Sequence, residues 1–524
     1  MKMRMKIRWI PTIPMKGSEG MKRLVFIFSF LVLFISLTLT SVAHSLVKPT
    51  ISQHLDFVQT DGNAIFIARR HDVFKLSRDK VVDHLQFPHD EVVLGLYIHD
   101  EYLVVITTTI MTHRNDVPEE DHIERPFIAP GYHQPDTMIY VYDKEYLDAS
   151  IKTYRFSGRL KNSQRQDEKI VFVLNEWRHP NNVEHYDVGF QHSNFAAGVE
   201  SYSFVFIVTL DLEHLTVNHL VYPGEAYQVH ITPRYVYTLE YQYPIRVLNS
   251  EYTIRTHIRK FDYVDTLKLE HEAIVKGEAI SPQQIHEVGD KLHLITSLYD
   301  TMGQQWYTYY RLDSKLMEMN RISLGDLSPI DAVSIMKDYS IIASDNRVLQ
   351  VNFNKRKPTI KSQPIHGKVL RFVPMDEKSL FVIGNESTLS IHGGPIFITK
   401  VDINTLKQTL KQTVFQDDFY DKTPIVHDDQ ALFVDYSRKL IGIPRTQFVS
   451  VEERDHIRLN RVHRYVLIKY DQESGFHQVL EIMQDHPAIR RAFVVNNTFY
   501  TVSLKDVTAY SLDTFNLLHK VTFD

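Results

Sequence analysis

The sequence predicts an all-β chain, a β-propeller of four-stranded antiparallel blades following an N-terminal leader or anchor segment. Three observations lead there. First, a turn carrying Asp, Asn or Gly followed by a short apolar strand recurs nine times, as DGNAIFIA, HDEYLVVI, DEKIVFVL, TPRYVYTL, GDKLHLIT, MKDYSIIA, DEKSLFVI, HDDQALFV and VNNTFYTV. Second, from the second copy onward a further strand follows and tends to close on an acid or amide, at Asp143, Asp211, Asp262, Asp313, Asn354, Asp402, Asp471 and Asp513. Such side chains bond to nearby backbone N–H groups and turn the chain. Third, the copies lie roughly 35 to 70 residues apart, the spacing of four-stranded blades. A ring protects the sheet edges that a linear array would expose. A pair of β-sandwiches is the alternative, but sandwiches need not repeat one phrase. Propellers usually have four to eight blades, so eight is the expected count, within a range of seven to nine.

The elements follow in order along the 524 residues. Residues 1–20 are polar and basic without periodicity and read as an upstream extension. Met21 is the expected start, because Lys16-Gly17 would be encoded by a sequence resembling a bacterial ribosome-binding site. Residues 21–43 read as a secretory signal: Lys22 and Arg23, an apolar run from Leu24 to Thr40, then Ser41 and Ala43 spaced for cleavage after Ala43. Left uncleaved, residues 24–40 would be a membrane anchor at the short limit for a span. Residues 44–524 read as one propeller domain. Two segments interrupt its rhythm, 112–136 and 175–201, as long loops between paired strands and first candidates for a recognition surface. The tail supplies a complete blade, with strands at Phe493–Val495, Phe499–Val502, Val507–Leu512 and Leu517–Phe523.

Composition narrows the function. There is no cysteine, which excludes disulfide staples and a lipid-modified cysteine anchor and suits export by a single-membrane bacterium. Without residues 1–43, which hold seven Lys or Arg and one Glu, the chain has 52 basic and 63 acidic residues, a balance of −11. That surface is unsuited to tracking a phosphate backbone, and no nucleic-acid partner is expected.

The stretches VQTDGNAIFIA, LGLYIHDEYLVVIT, VHDDQALFVDYSRKLIGIP and IRRAFVVNNTFYTVSLKDVTAYSLD resemble the secreted β-propeller family of bacteria and archaea, which is distantly similar to WD-repeat proteins. The likeness runs from about residue 55 to the end. The chain departs from that pattern before Thr60-Asp61-Gly62, where ISQHLDF stands in place of an acidic phrase, and at HLITS in the middle. The resemblance implies export and fold and leaves activity open.

Two function classes remain. One is a non-catalytic scaffold at the cell envelope that binds a protein or glycan; the other is an exported enzyme, a hydrolase or lyase, with its site over the central channel. No GxSxG, GxxxxGK, GxGxxG or HExxH occurs, and with only Trp9, Trp177 and Trp306 the tryptophan-rich propeller enzymes find no match. The scaffold is therefore preferred, as a monomer without cofactor and without assigned catalytic or metal residues. The 27 histidines prompt a search for ligand groups. Glu119, Glu120, Asp121 and His122 form one group; His427, Asp428 and Asp429 form another beside Asp417, Asp418 and Asp421. Both read first as polar turns, and an ion within Asp417–Asp429 would be calcium rather than zinc.

Overall fold

The computed structural model describes residues 52–523, apart from 78–79, 111–134, 179–201, 244–253, 354–356, 387–393, 416–422, 454–455, 485–487 and single positions 280, 301, 328, 345 and 377. The leader or anchor at 21–43 lies outside the described residues. Among the described residues no helix is long and apolar enough to cross a membrane.

Nine antiparallel sheets follow one another in chain order, at the top of the expected range. They span residues 58–86, 91–157, 159–223, 228–276, 285–326, 330–364, 368–415, 433–484 and 489–522, named blades 1 to 9, each with strands A to D in sequence order. The repeated apolar phrase is strand B in eight blades. Its runs are buried on both faces, as at Ile170–Leu174 and Leu380–Ile383, so they read as continuous apolar segments instead of alternating ones. Strand D is the outer edge and mostly exposed, as at Ser150–Ser157.

The exception is HDDQALFV. Residues Pro424–Val426 and Asp429–Ala431 are 3₁₀ turns, and Phe433–Asp435 is a three-residue strand A of blade 8. Asp428 caps the second turn, accepting from Gln430 N at 3.1 Å. Strand B of this blade begins later, at Leu440. The phrase identified the right blade through the wrong strand.

In six blades the acid that closes strand C works as expected; Asn354 lies outside the described residues. Asp143, Asp211, Asp262, Asp313, Asp402 and Asp471 each accept backbone N–H bonds from residues two or three further on, for example Glu145 N at 2.8 Å and Glu473 N at 2.8 Å. In blade 9 Ser511 takes this role, with Asp513 N and Thr514 N both at 3.3 Å.

Apolar clusters fill the seams between blades. Blade 9 buries Phe499, Tyr510 and Leu512 against Leu440, Tyr465, Leu467 and Ile482 of blade 8. Its other face packs Tyr500, Val502, Val507 and Phe523 on Val58, Ile65, Ile67 and Leu76 of blade 1. The ring therefore closes without a strand shared between its terminal blades, each built wholly from its own end of the chain.

Residues Ser52–His54 form a strand outside this scheme. They pair antiparallel with strand A of blade 3 (Arg159–Gln166), in the register Ser52↔Gln166, Gln53↔Arg165 and His54↔Gln164, giving that sheet a fifth strand. The chain then bridges to blade 2 at Asp56↔Leu96 before entering blade 1 at Val58. This is where ISQHLDF departs from the family-like pattern.

Candidate functional site

Blade topology assigns every connection to one of two mouths. Strand A runs from the D–A connection to the A–B turn, so B–C and D–A connections share one mouth, and A–B and C–D turns share the other. The A–B and C–D connections are short turns throughout. The long ones are B–C connections: between Thr109 and Asp136, Arg178 and Tyr202, Gln242 and Arg255, and Asn385 and Ile396. In blade 8 the B–C connection is a hairpin, Leu440–Glu453 paired with His456–Asp471, which outruns strand D beyond His463. The long D–A connection between Phe415 and Phe433 opens on the same mouth.

Both interrupting segments foreseen in the sequence attach there. The first, with Glu119, Glu120, Asp121 and His122, lies outside the described residues, but the strands flanking it are paired at Thr108↔Thr137. The second is shorter than expected: Asn175–Arg178 extend strand B and pair with Tyr202–Val205. These polar residues read as loop, yet Asn175 donates to Ala226 O at 3.0 Å and accepts from Ala226 N at 3.1 Å, clamping a D–A connection.

At this mouth the channel opens into a polar cavity of about 550 Å³, continuous through shared lining residues with a second space of about 530 Å³ further in. Its rim is built by two capped 3₁₀ turns. Ser281 accepts from Gln283 N at 3.3 Å, while Ser281 N donates to Gln284 Oε1 at 2.9 Å. Asp428 caps the second turn with its side chain alone, accepting from Gln430 N. Strands A supply the wall: Asn162 and Ser163, Val229–Ile231, His286, Ala332–Ile335 and Arg371.

Two guanidiniums organise the charge. Arg371 donates to Ile425 O and to Asp429. Arg491 Nε lies 2.9 Å from both oxygens of Asp56, Nη1 lies 2.7 Å from Asp428, and Nη2 lies 3.3 Å from Gln430 Oε1. Gln430 in turn donates to Leu55 O at 3.2 Å. The network joins blade 9, the connection into blade 8 and the N-terminal strand. Burial raises the Asp56 carboxyl above its ordinary range, and Arg491 offsets only part of that cost.

Three histidines face the same space. The His230 and His286 rings are 5.3 Å apart, and Glu287 N donates to His230 Nε2 at 3.2 Å. Burial, then His286 and His54, push His230 down to about 3. Burial also lowers His54, against the pull of Asp429. At neutral pH the His230 ring is thus an uncharged acceptor.

Of the acidic group foreseen at Asp417–Asp429, residues Asp417, Asp418 and Asp421 lie outside the described residues. Asp428 and Asp429 are engaged by arginines. Among the described residues no three of His, Asp or Glu are grouped to hold a metal ion. Sequence reasoning missed His54, Asp56, His230, His286, Arg371 and Arg491, because they come from separate blades; the ISQHLDF departure was the one local signal.

This architecture is that of a β-propeller, a ring of nine blades with a polar channel. The chain belongs to the family described as beta propeller domain, which matches residues 53–332 and 372–515. No curated protein matches it. Solved structures similar to it include apo AztD from Citrobacter koseri, 12% identical with a TM-score of 0.36, covering 74% of this chain and 92% of that one. The Pan2 WD40 domain of Neurospora crassa is 12% identical, with a TM-score of 0.30 and coverage of 56% and 76%. A mutant apocarotenoid oxygenase from Synechocystis is 11% identical, also at 0.30, with coverage of 54% and 69%.

Proposed function

We propose that this chain is an exported, non-catalytic scaffold that binds a protein or glycan at the mouth carrying its B–C and D–A connections. The observation behind this reading is the asymmetry of the two mouths. Short, Asp-capped turns repeat on one, whereas the long connections, the blade 8 hairpin and the cavity gather on the other. Variable loops on a rigid ring are where recognition is usually placed. The engagement of Asp428 and Asp429 by arginines favours binding over an acid–base pair. The basic start and apolar run of residues 21–43 support export.

The test is a pull-down from cell-wall extract with residues 44–524. Replacing residues 117–134 by a short Gly-Ser link is expected to leave the fold intact, because the strands on either side pair with each other up to Thr108↔Thr137. Stoichiometric capture of one protein or glycan, reduced by that replacement and unaffected by changes to the tight turns, is expected. Turnover of an extract component, seen by mass spectrometry, would instead make the chain an enzyme.

A further inference from the structure

We infer that the channel takes up an extended segment of a partner polypeptide, paired main chain to main chain with the inner strand edges of blades 4 and 6. This rests on the binding-scaffold reading and names its ligand. Three observations carry it. Strand A of blade 4 (Gln228–Ile231) and strand A of blade 6 (Ile330–Ile335) are edge strands of their sheets. Each lines the cavity with consecutive residues, Val229, His230 and Ile231 in one and Ala332, Val333, Ser334 and Ile335 in the other. Side chains on a strand alternate between faces, so a surface lined by successive residues meets the strand edge-on, backbone foremost.

The hydrogen-bond phase agrees. In an antiparallel strand the N–H and C=O of one residue point the same way, and the direction alternates along the chain. Met336 N bonds to Tyr339 O at 2.9 Å, within the blade, which turns Ser334 toward strand B and Val333 and Ile335 toward the channel. In blade 4 Thr232 N bonds to Tyr235 O at 2.9 Å, so Val229 and Ile231 face inward, and Asn162 Nδ2 does reach Val229 O at 3.2 Å.

The third observation is that the channel already holds such a strand. Ser52–His54 lies along the edge of blade 3 and is fitted there. Gly95 leaves room for Leu55, Arg165 donates to Gln53 Oε1 at 3.2 Å, and Arg491 holds Asp56. Edge addition is therefore the mode by which this channel accepts chain. A partner segment would find main-chain donors and acceptors at Val333 and Ile335, and small or apolar pockets beside Ala332 and Val229 for alternate side chains.

The experiment uses residues 44–524 against a phage-displayed library of random nonapeptides, with a glycan array in parallel. A selected peptide should lose binding when its backbone is N-methylated at alternate residues in one register and tolerate the other register. Val333→Pro removes a channel-facing N–H on an edge strand, where proline is tolerated. It should weaken the selected peptide by about tenfold or more, as loss of one well-placed hydrogen bond does. Val333→Ala should leave binding within about twofold, since it keeps that N–H. The N-methylation series reads the same geometry on the unmodified protein should Val333→Pro fold poorly. Selected peptides that bind equally well after either change would overturn strand pairing. Glycan capture without peptide selection would overturn this inference and leave the scaffold reading standing, and no capture on either would sink both.

Discussion

Arg491 shows how one residue can matter more by its removal than by its presence. It sits among Asp56, Asp428 and the ring of Phe57, 4.3 Å from the guanidinium. The raised Asp56 carboxyl means that burial costs more than the pairing returns, so the pair itself adds little stability. Arg491→Ala leaves a buried carboxylate uncompensated and should cost about 3 kcal/mol in urea unfolding at pH 7, while Asp56→Asn should be near neutral. Equal costs for both would mean a simple attractive pair. The sign for Asp56 is the reverse of the usual paired carboxylate. Its folded pKa is raised, so stability is greatest below the ordinary carboxylate range and falls as pH rises through the folded value. His230 behaves oppositely. With its folded value near 3, its contribution is complete above pH 6.5 and lost progressively on acidification toward 3. His230→Gln should recover about 2 kcal/mol of the stability lost between pH 7 and 4.5, measured by urea unfolding at both. An unchanged acid limb would place the titration elsewhere. None of these residues was legible from the sequence. Asp56 and Arg491 are 435 positions apart, and nothing in Arg490-Arg491 distinguishes the arginine that turns inward.

At the scale of elements, the sequence carried what local chemistry dictates. Strands B announce themselves by buried apolar runs, and strands C by the acid that turns the chain after them. Strands D were harder, because outer strands exposed on both faces carry no apolar period. HDDQALFV misled because Ala-Leu-Phe-Val has the composition of a strand B, while the preceding Pro424 and Asp428 make 3₁₀ turns that deliver it as a short inner strand. The N-terminal strand depends on one backbone position. A Cβ on Gly95 would stand 2.6 Å from Leu55 Cγ and 3.0 Å from Asp56 O. Gly95→Ala should therefore lift residues 52–57 from the channel wall at a cost of about 1–3 kcal/mol, seen as faster proteolysis of that segment. Adding Leu55→Ala should restore part of the protection. If the glycine change leaves proteolysis as before, the segment is not held by that contact.

The nine blades form a ring whose last seam is no different in kind from the others. Phe499 and Val502 are fully buried, one toward blade 8 and the other toward blade 1. Each such side chain is worth roughly 1.5–3 kcal/mol, so losing a blade exceeds the margin of about 5–15 kcal/mol that holds a domain together. Residues 44–488, expressed without the last blade, should aggregate or be degraded. A soluble fragment with the full-length melting temperature would make the tail an appendage and open the ring. The nine-blade count was within reach of the repeats; the channel was not, because its lining comes from the inner strands and connections of separate blades, which meet only when the blades assemble.

The N-terminal strand has a temporal consequence. A chain made from its N-terminus delivers Ser52–His54 long before the edge it pairs with. Arg165, which donates to Gln53, lies 112 residues later, and Arg491, which holds Asp56, lies 435 residues beyond that acid. At synthesis rates of roughly 5–20 residues per second, the first wait is roughly 5–20 s and the second roughly 20–90 s. The earliest described segment to emerge is thus among the last to be fully anchored. Ser52–His54 can pair as soon as blade 3 has formed, but Asp56 meets Arg491 only when blade 9 arrives, so the last anchor of this segment is made as the ring closes.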